Sequence, residues 1–238
     1  MESIGRHYNK DSLSSIERGK PAQVFLRVPY TGVRINNINR ELLRRADRLF
    51  IHAPYVWNIS QTYQERKIVE DFLSDLYLAG TELDAKGIVV HVGKSVKMSV
   101  TEAINNQRNL LKKVCEKNET DCKVLLETPA GQGTELLTDY DEFVDFCLEL
   151  QRKHDNFGVC IDTAHVWSLG YLPHKYLKEA LRDGLRVELI HFNGSLKGRG
   201  SRVDRHAIWD SDYSKIPVEY MLSVIRKAER RDIPLIIE

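Results

Sequence analysis

The sequence has no long apolar segment, little cysteine or proline, and almost no net charge. Its 238 residues include 4 Cys, 7 Pro and 14 Gly, which excludes a disulfide-stapled miniprotein, a collagen-like chain and a low-complexity chain. No apolar run approaches the ~20 residues that a membrane-spanning helix needs. Because the formal net charge is only +1, a nucleic acid or an anionic membrane would have to be bound by a local basic patch.

The composition is that of a folded protein. Hydrophobic residues make up 42% of the chain, and its length suits a single domain of the size of an α/β barrel. The first residues carry charges and no apolar segment of a signal peptide, so we expect an intracellular protein. We expect the four cysteines to be reduced thiols rather than disulfides or metal ligands: Cys115, Cys122, Cys147 and Cys160.

Eight short aliphatic runs predict β-strands, which begin near residues 4, 22, 48, 87, 123, 157, 187 and 233. Between them lie segments with helical apolar spacing. One predicted helix ends at Gly80, and Pro173 and Pro217 each open another. The apolar stripes predicted to face the core are Ile68, Val69, Phe72, Leu73 and Leu76, then Phe143, Phe146, Cys147 and Leu150, then Val218, Met221, Leu222 and Ile225. This alternation predicts a closed (β/α)₈ barrel, with a doubly wound open sheet as the alternative.

One long segment breaks the alternation of strand and helix. Residues 191–213 show no usable period and contain several glycines. Long loops without secondary structure are uncommon inside compact domains and usually have a function. We therefore expect a structureless functional loop there. Four basic residues surround a single acid, Asp204: Lys197, Arg199, Arg202 and Arg205.

Ionisable residues stand at or just after most predicted strands, and the carboxyl ends of barrel strands all face one way. These residues are His7, His52, His91, Glu127, Asp162, His191 and Glu238. The motif D-T-A-H adds His165 three residues after Asp162. In V-D-R-H, Asp204 and His206 are spaced i and i+2, so they point the same way in an extended loop while Arg205 points away.

Nine candidate ligands are too many for one ion, so the pattern predicts a cluster of two or three metals. They are His52, His91, Glu127, Asp162, His165, His191, Asp204, His206 and Glu238. Imidazole and carboxylate without thiolate suit zinc, manganese or iron. Such clusters commonly hydrolyse phosphate esters, and the basic residues beside Asp204 would hold a nucleic-acid backbone.

The motifs resemble, in order and over nearly the whole chain, the endonuclease IV family of abasic-site DNA repair endonucleases. They are HAPY at 52–55, HVG at 91–93, LLETPAGQGTEL at 125–136, GVCIDTAHVWSLGY at 158–171, HFN at 191–193, GSRVDRH at 200–206 and the final IIE. The resemblance implies a (β/α)₈ barrel with three zinc ions. It also implies hydrolysis of the phosphodiester 5′ to an abasic site in base excision repair, leaving a 3′ hydroxyl and a 5′ deoxyribose phosphate.

The resemblance also distributes the ligands. It implies that His52, His91 and Glu127 bind the first zinc, and that Glu127 bridges to a second zinc. The second zinc would be held also by Asp162, His191 and Glu238, and the third by His165, Asp204 and His206. The same resemblance makes Glu127 and Glu238 catalytic residues, and the ligand types also suit Mn²⁺.

The implied partner is double-stranded DNA that contains abasic sites, bound by a monomer with no membrane contact. Tyr55 and Gln132 match family positions that contact DNA. The family's Asn-Gln-Arg-Gln-Trp type loop is replaced here by FLRVPYTGVR, in which Tyr30 or Arg34 is the candidate substitute, and Ala207 stands where the family has a further His.

The sequence ends at Glu238, itself a predicted ligand, without the helix that closes the family's barrel. We therefore expect either a shortened chain or a compact, viral-type branch, with fraying at the second zinc. The protein would act wherever its DNA is, in cytoplasm, nucleus or virion.

Two other functions remain open from the residues. A sugar isomerase or epimerase on a related barrel would use one ion held by Glu127, Asp162, His191 and Glu238. It would need neither the V-D-R-H pair nor the extra histidines His52, His91, His165 and His206. The second alternative is a module that binds damaged DNA without cutting it.

Overall fold

Eight parallel strands form a closed barrel in the computed structural model. The structure describes residues 4–9, 11–26, 40–117 and 120–238, without the side chains at 63, 64 and 66. The barrel strands are β1 Ile4–Tyr8, β2 Ala22–Val24, β3 Leu49–His52, β4 Gly87–His91, β5 Lys123–Glu127, β6 Phe157–Asp162, β7 Val187–His191 and β10 Leu235–Ile237. Because β1 pairs with both β2 and β10, the sheet has no free edge, and the doubly wound alternative is wrong.

The helices surround this barrel, as the alternating pattern predicts. They are the 3₁₀ turn Leu13–Ser15, α1 Arg40–Leu43, α2 Tyr63–Glu82, α3 Val100–Lys117, α4 Tyr140–Gln151, α5 Thr163–Ser168, α6 Pro173–Arg182 and α7 Val218–Glu229. In the described ranges, no helix combines the length and the apolarity needed to cross a membrane. The four cysteines are buried and free, which confirms the expectation of thiols.

Several local expectations need correction. Ile68 is 56% exposed, and Val218 and Leu222 are 46% and 39% exposed, so they lie at the edge of their helices' apolar stripes rather than in the core. Gly80 lies inside α2 rather than at its end. A Cβ at Gly80 would come within 2.9 Å of the Cys122 sulfur, so the glycine serves close packing.

Two further corrections concern the site. His7 lies within β1 rather than after it. The segment 191–213 is not structureless, because it contains an antiparallel hairpin of β8 Gly194–Ser195 and β9 His206–Ala207. The predicted DNA contacts Tyr30 and Arg34 lie outside the described residues.

The barrel interior is filled by one apolar layer below the carboxyl ends of the strands. Six barrel strands each contribute one buried side chain to it: Phe50, Val89, Leu125, Cys160, Leu189 and Ile236. Successive side chains of a strand alternate between its two faces, so the residue two positions later also points inward. In these six strands that residue is always a predicted metal ligand: His52, His91, Glu127, Asp162, His191 and Glu238.

The backbone of the barrel packs closely against Gly5 in β1. A Cβ at this position would lie 1.7 Å from the backbone oxygen of Pro21. We therefore expect Gly5→Ala to lower the free energy of unfolding by about 1–3 kcal/mol, as overpacking does, in urea denaturation. The matched control is Gly198→Ala, because no atom of the described residues lies within 4 Å of its Cβ position, and it should change stability by less than about 0.5 kcal/mol. Equal stability of the two variants would contradict this account.

Candidate metal centre

The nine predicted ligands all converge at the carboxyl ends of the barrel strands. The first group joins three strand ends. The Oε2 atom of Glu127 lies 3.5 Å from His52 Nε2 and 3.5 Å from His91 Nδ1. One ligand atom from each of these three residues falls within 4.8 Å of the others, a spacing suited to a single ion.

The second group shares Glu127 with the first. His191 Nδ1 lies 2.7 Å from Glu127 Oε1 and 3.4 Å from Glu238 Oε2. Asp162 Oδ2 is 3.9 Å from the same imidazole nitrogen. The ligand atoms of these four residues also lie within 4.8 Å of one another.

The third group lies at the start of α5 and at the hairpin. Asp162 caps α5, and its Oδ1 accepts a hydrogen bond of 2.8 Å from the His165 backbone N–H, which fixes both side chains of D-T-A-H in one turn. Asp204 lies 3.3 Å from His165 Nε2 and 3.0 Å from His206 Nε2. The V-D-R-H spacing therefore acts as expected, with Asp204 and His206 turned inward and Arg205 exposed.

The donor atoms of the site fit a cluster of cations. The Oε2 atom of Glu127 is buried and accepts no hydrogen bond from the residues that the structure describes, which is costly for a carboxylate in a protein interior. Burial alone would raise the pKa of Glu127, but the imidazoles of His91 and His191 outweigh it and hold that pKa well below its usual range. Desolvation lowers the pKa of His91 to about 4, so its imidazole is neutral near pH 7. An ionised carboxylate and a neutral imidazole are the forms that bind a metal.

Cys160 lies at the floor of the site, where its sulfur comes within 4.8 Å of the ligand atoms of Glu127 and His191. Burial raises the pKa of its thiol to about 12. Its side chain also packs in the apolar layer of the barrel interior.

Backbone carbonyls orient two of the imidazoles. His52 Nδ1 lies 2.7 Å from the Ala53 oxygen, and His165 Nδ1 lies 2.8 Å from the Thr128 oxygen. Each Nδ1 therefore carries a hydrogen, and each Nε2 is free to ligate.

Sequence reasoning missed two buried amides beside the ligands, Gln23 and Asn193, which are both 0% exposed. Gln23 was detectable as a polar residue inside the apolar run AQVFLRV, and Asn193 as the polar end of HFN.

The basic segment is held against α5. Trp167 Nε1 donates to the Lys197 oxygen at 3.0 Å, and the Ser168 backbone oxygen accepts from the Arg202 N–H at 3.0 Å. The four basic side chains, Lys197, Arg199, Arg202 and Arg205, are exposed, and within the described ranges none is paired with a carboxylate. They form a basic patch beside Asp204 and His206.

Two predicted DNA contacts lie on turns at the same end of the barrel. Tyr55 is 78% exposed, so it does not cap the core. Gln132 is half-buried in a turn whose three consecutive N–H groups, of Ala130, Gly131 and Gln132, donate to Glu135 Oε2 at 2.8–3.1 Å. The carboxylate of Glu135 thus fixes the backbone that presents Gln132.

Glu135→Ala would leave these three N–H groups without their charged acceptor. We expect the free energy of unfolding to fall by about 1.5–3 kcal/mol, as for the loss of hydrogen bonds to a charged group. We also expect faster amide hydrogen exchange at residues 130–132, measured by mass spectrometry. Glu116→Ala, at an exposed glutamate of α3, serves as control and should change neither quantity. Unchanged exchange in Glu135→Ala would show that the turn is held in another way.

Comparison with known proteins places this geometry in a family. A family model described as xylose isomerase-like TIM barrel matches residues 14–238. A probable endonuclease 4 of Metamycoplasma arthritidis is 30% identical over 200 residues, which cover 82% of this chain and 70% of that protein.

Two solved structures share the fold. Endonuclease IV from Thermus thermophilus has a TM-score of 0.75 at 20% identity, covering 99% of this chain and 91% of that chain. A D-tagatose 3-epimerase-like protein has a TM-score of 0.73 at 17% identity, covering 99% and 89%. The two sequence matches, which cover most of the chain, show that it belongs to the endonuclease IV family of xylose isomerase-like TIM barrels.

Proposed function

We propose that residues 1–238 form a single metal-dependent endonuclease domain that hydrolyses the phosphodiester 5′ to an abasic site in DNA. The observation that carries the proposal is that eight of the nine ligands fall into three adjoining groups, with Glu127 and Asp162 at the junctions between them. The ninth, Asp204, contacts both histidines of the third group. The name of the Metamycoplasma relative supports an endonuclease. The products would be a 3′ hydroxyl and a 5′ deoxyribose phosphate, and the protein would act as a monomer on intracellular DNA.

Zinc suits the proposed centre, because its ligands are imidazole nitrogens and carboxylate oxygens. When bound, such a cluster supplies a water of lowered pKa and neutralises charge on the phosphoryl oxygens. The residues of the chain set the distances between the metal positions. Glu127 directs Oε2 toward His52 and His91 and Oε1 toward His191, so one carboxylate sets the distance between two neighbouring positions.

Glu238 is the second carboxylate that we assign to the reaction. Its side chain is 17% exposed, whereas those of Glu127 and Asp162 are 1% and 0% exposed. Glu238 therefore lies nearest to an entering phosphodiester among the second group's carboxylates. Its pKa is held below the usual range, because His191 and His7 outweigh the effect of burial. We assign to Glu238 contact with the reacting atoms as an ionised carboxylate.

The proposed DNA contacts surround this centre. The basic patch would hold the phosphate backbone, and Tyr55 and Gln132 would contact the lesion. An abasic nucleotide is easily turned into such a site, since it has no base to unpair or unstack. Arg205 lies between two ligands in sequence, so backbone binding and phosphate hydrolysis would occur within one short segment.

The second candidate function is a sugar isomerase or epimerase with one ion. The set Glu127, Asp162, His191 and Glu238 is indeed present as a group of four. The remaining five ligands favour the endonuclease, because a single ion leaves buried histidines and Asp204 without a function. Metal analysis distinguishes the two functions, because the isomerase would bind one ion and the endonuclease three. A third candidate, a damaged-DNA binder, would bind abasic duplex and leave it intact.

The decisive experiment is incision of an end-labelled duplex that contains one tetrahydrofuran abasic analogue. This analogue cannot undergo β-elimination, so only hydrolysis cuts it. We expect one incision with a 3′ hydroxyl end. Glu127→Gln changes a ligand, so it should lower the incision rate by more than the roughly 10- to 100-fold loss that is typical when a residue outside the ligand set is changed.

The control for this assay is Glu229→Gln, at an exposed glutamate of α7, which should cleave at the rate of the unchanged protein. An undamaged duplex measures nonspecific nuclease activity. Absence of incision by protein that carries three equivalents of zinc would refute the proposed function.

The double variant Lys197→Gln/Arg199→Gln tests the basic patch. Removing two phosphate contacts should weaken binding of abasic duplex and reduce the slope of log affinity against log salt by about 1 per contact. The KM should rise with little change in kcat. The measurement is fluorescence anisotropy at several salt concentrations, with Lys178→Gln on α6 as control. An unchanged salt slope would remove the patch from the DNA interface.

A further inference from the structure

Gln23 is a fully buried amide in β2 that contacts two residues of the second metal group. Its Nε2 donates to Glu238 Oε1 at 2.9 Å and lies 2.8 Å from His7 Nδ1. Its Oε1 lies 2.8 Å from His191 Nε2. All three contacts are within the barrel mouth, so both ends of this amide are used.

The contact with His191 determines which imidazole nitrogen faces the metal position. An amide oxygen only accepts hydrogen bonds, so His191 Nε2 must carry a hydrogen and donate it to Gln23. The other nitrogen, Nδ1, then faces the metal position, where a bound cation would replace its hydrogen. That atom is the one that lies 2.7 Å from Glu127 Oε1 and 3.4 Å from Glu238 Oε2.

Asn193 holds Glu238 from the other side. Its Nδ2 donates to Asp162 Oδ2 at 2.8 Å and to Glu238 Oε2 at 3.2 Å. Its Oδ1 accepts a hydrogen bond of 3.0 Å from the Glu238 backbone N–H. Each carboxylate oxygen of Glu238 thus receives one amide donor, one from Gln23 and one from Asn193.

Neutral amides suit this position better than charged residues. A lysine or arginine would neutralise the carboxylates and compete with a cation for them, whereas another carboxylate would add repulsion. An amide fixes the direction of the carboxylate oxygens and leaves their charge for the ion. Outer partners of this kind commonly tune metal affinity.

We propose that Gln23 and Asn193 form an amide clamp, a pair of positioning residues that sets His191 and Glu238 for the second metal position. The inference rests on the proposed metal-dependent function. It assigns to β2, which supplies no ligand, the task of fixing two of them. It also gives the Glu238 side chain and backbone N–H their own hydrogen-bond partners.

Gln23→Met tests the clamp, because methionine keeps the length and apolar volume of glutamine but has no amide. We expect one of three zinc equivalents to bind about 10- to 100-fold more weakly in a competitive titration with a chromophoric chelator. The other two equivalents should bind as in the unchanged protein. In the cobalt-substituted protein, the visible absorption of one site should change, which a purely packing role for Gln23 would not cause.

The control is Gln151→Met, at a buried glutamine at the carboxyl end of α4, whose side-chain amide has no hydrogen-bond partner among the described residues. It should keep all three affinities. If Gln23→Met fails to fold by circular dichroism, Asn193→Leu makes the same test, since leucine matches the shape of asparagine. Three unchanged affinities in the folded variant overturn the clamp, whereas fewer than three tight equivalents in the unchanged protein count against the proposed function itself.

Discussion

The two-residue alternation of strands in a closed barrel is the constraint on which the site depends. An apolar layer fills the interior, and the next inward residue of each contributing strand lies directly above it. Leu125 therefore lies below Glu127, and Cys160 below Asp162. A slip of one residue in any strand would exchange a ligand for a residue that packs under the helices. The strand register that packs the core is therefore also the register that brings the ligands together.

That arrangement concentrates charge where water is scarce. Glu127, Asp162 and Glu238 approach one imidazole, His191, and the side chains of Glu127 and Asp162 are almost fully buried. Burial raises the pKa of Asp162, whereas neighbouring imidazoles hold the pKa of Glu127 low. Among the described residues, imidazoles and amides balance these carboxylates. Burying such a cluster costs desolvation free energy on folding, and the cations that it would bind are the best explanation for it.

The fold and the convergence of the candidate ligands could be predicted because they have strong local signals. The eight barrel strands follow from aliphatic runs, and a His, Asp or Glu at the end of such a run is visible in one sequence. The exposed positions of Ile68 and Leu222 could not be read from helical periodicity, which gives the direction of a face but not its width. The role of Gln23 depends on a contact with Glu238 across 215 residues, which no local pattern contains.

The short helix α5 connects the candidate ligand groups to the basic patch. Its first turn carries Asp162 and His165, and its end holds the backbone near Lys197 and Arg202. The chain then returns to the centre at Asp204 and His206, so both ends of the basic segment are tied to the same cluster. The positions of the exposed cations are therefore set by the ligands rather than by a flexible loop. Metal binding and backbone recognition would share one rigid element, and a phosphate held by the patch would lie within a few residues of the atoms that act on it.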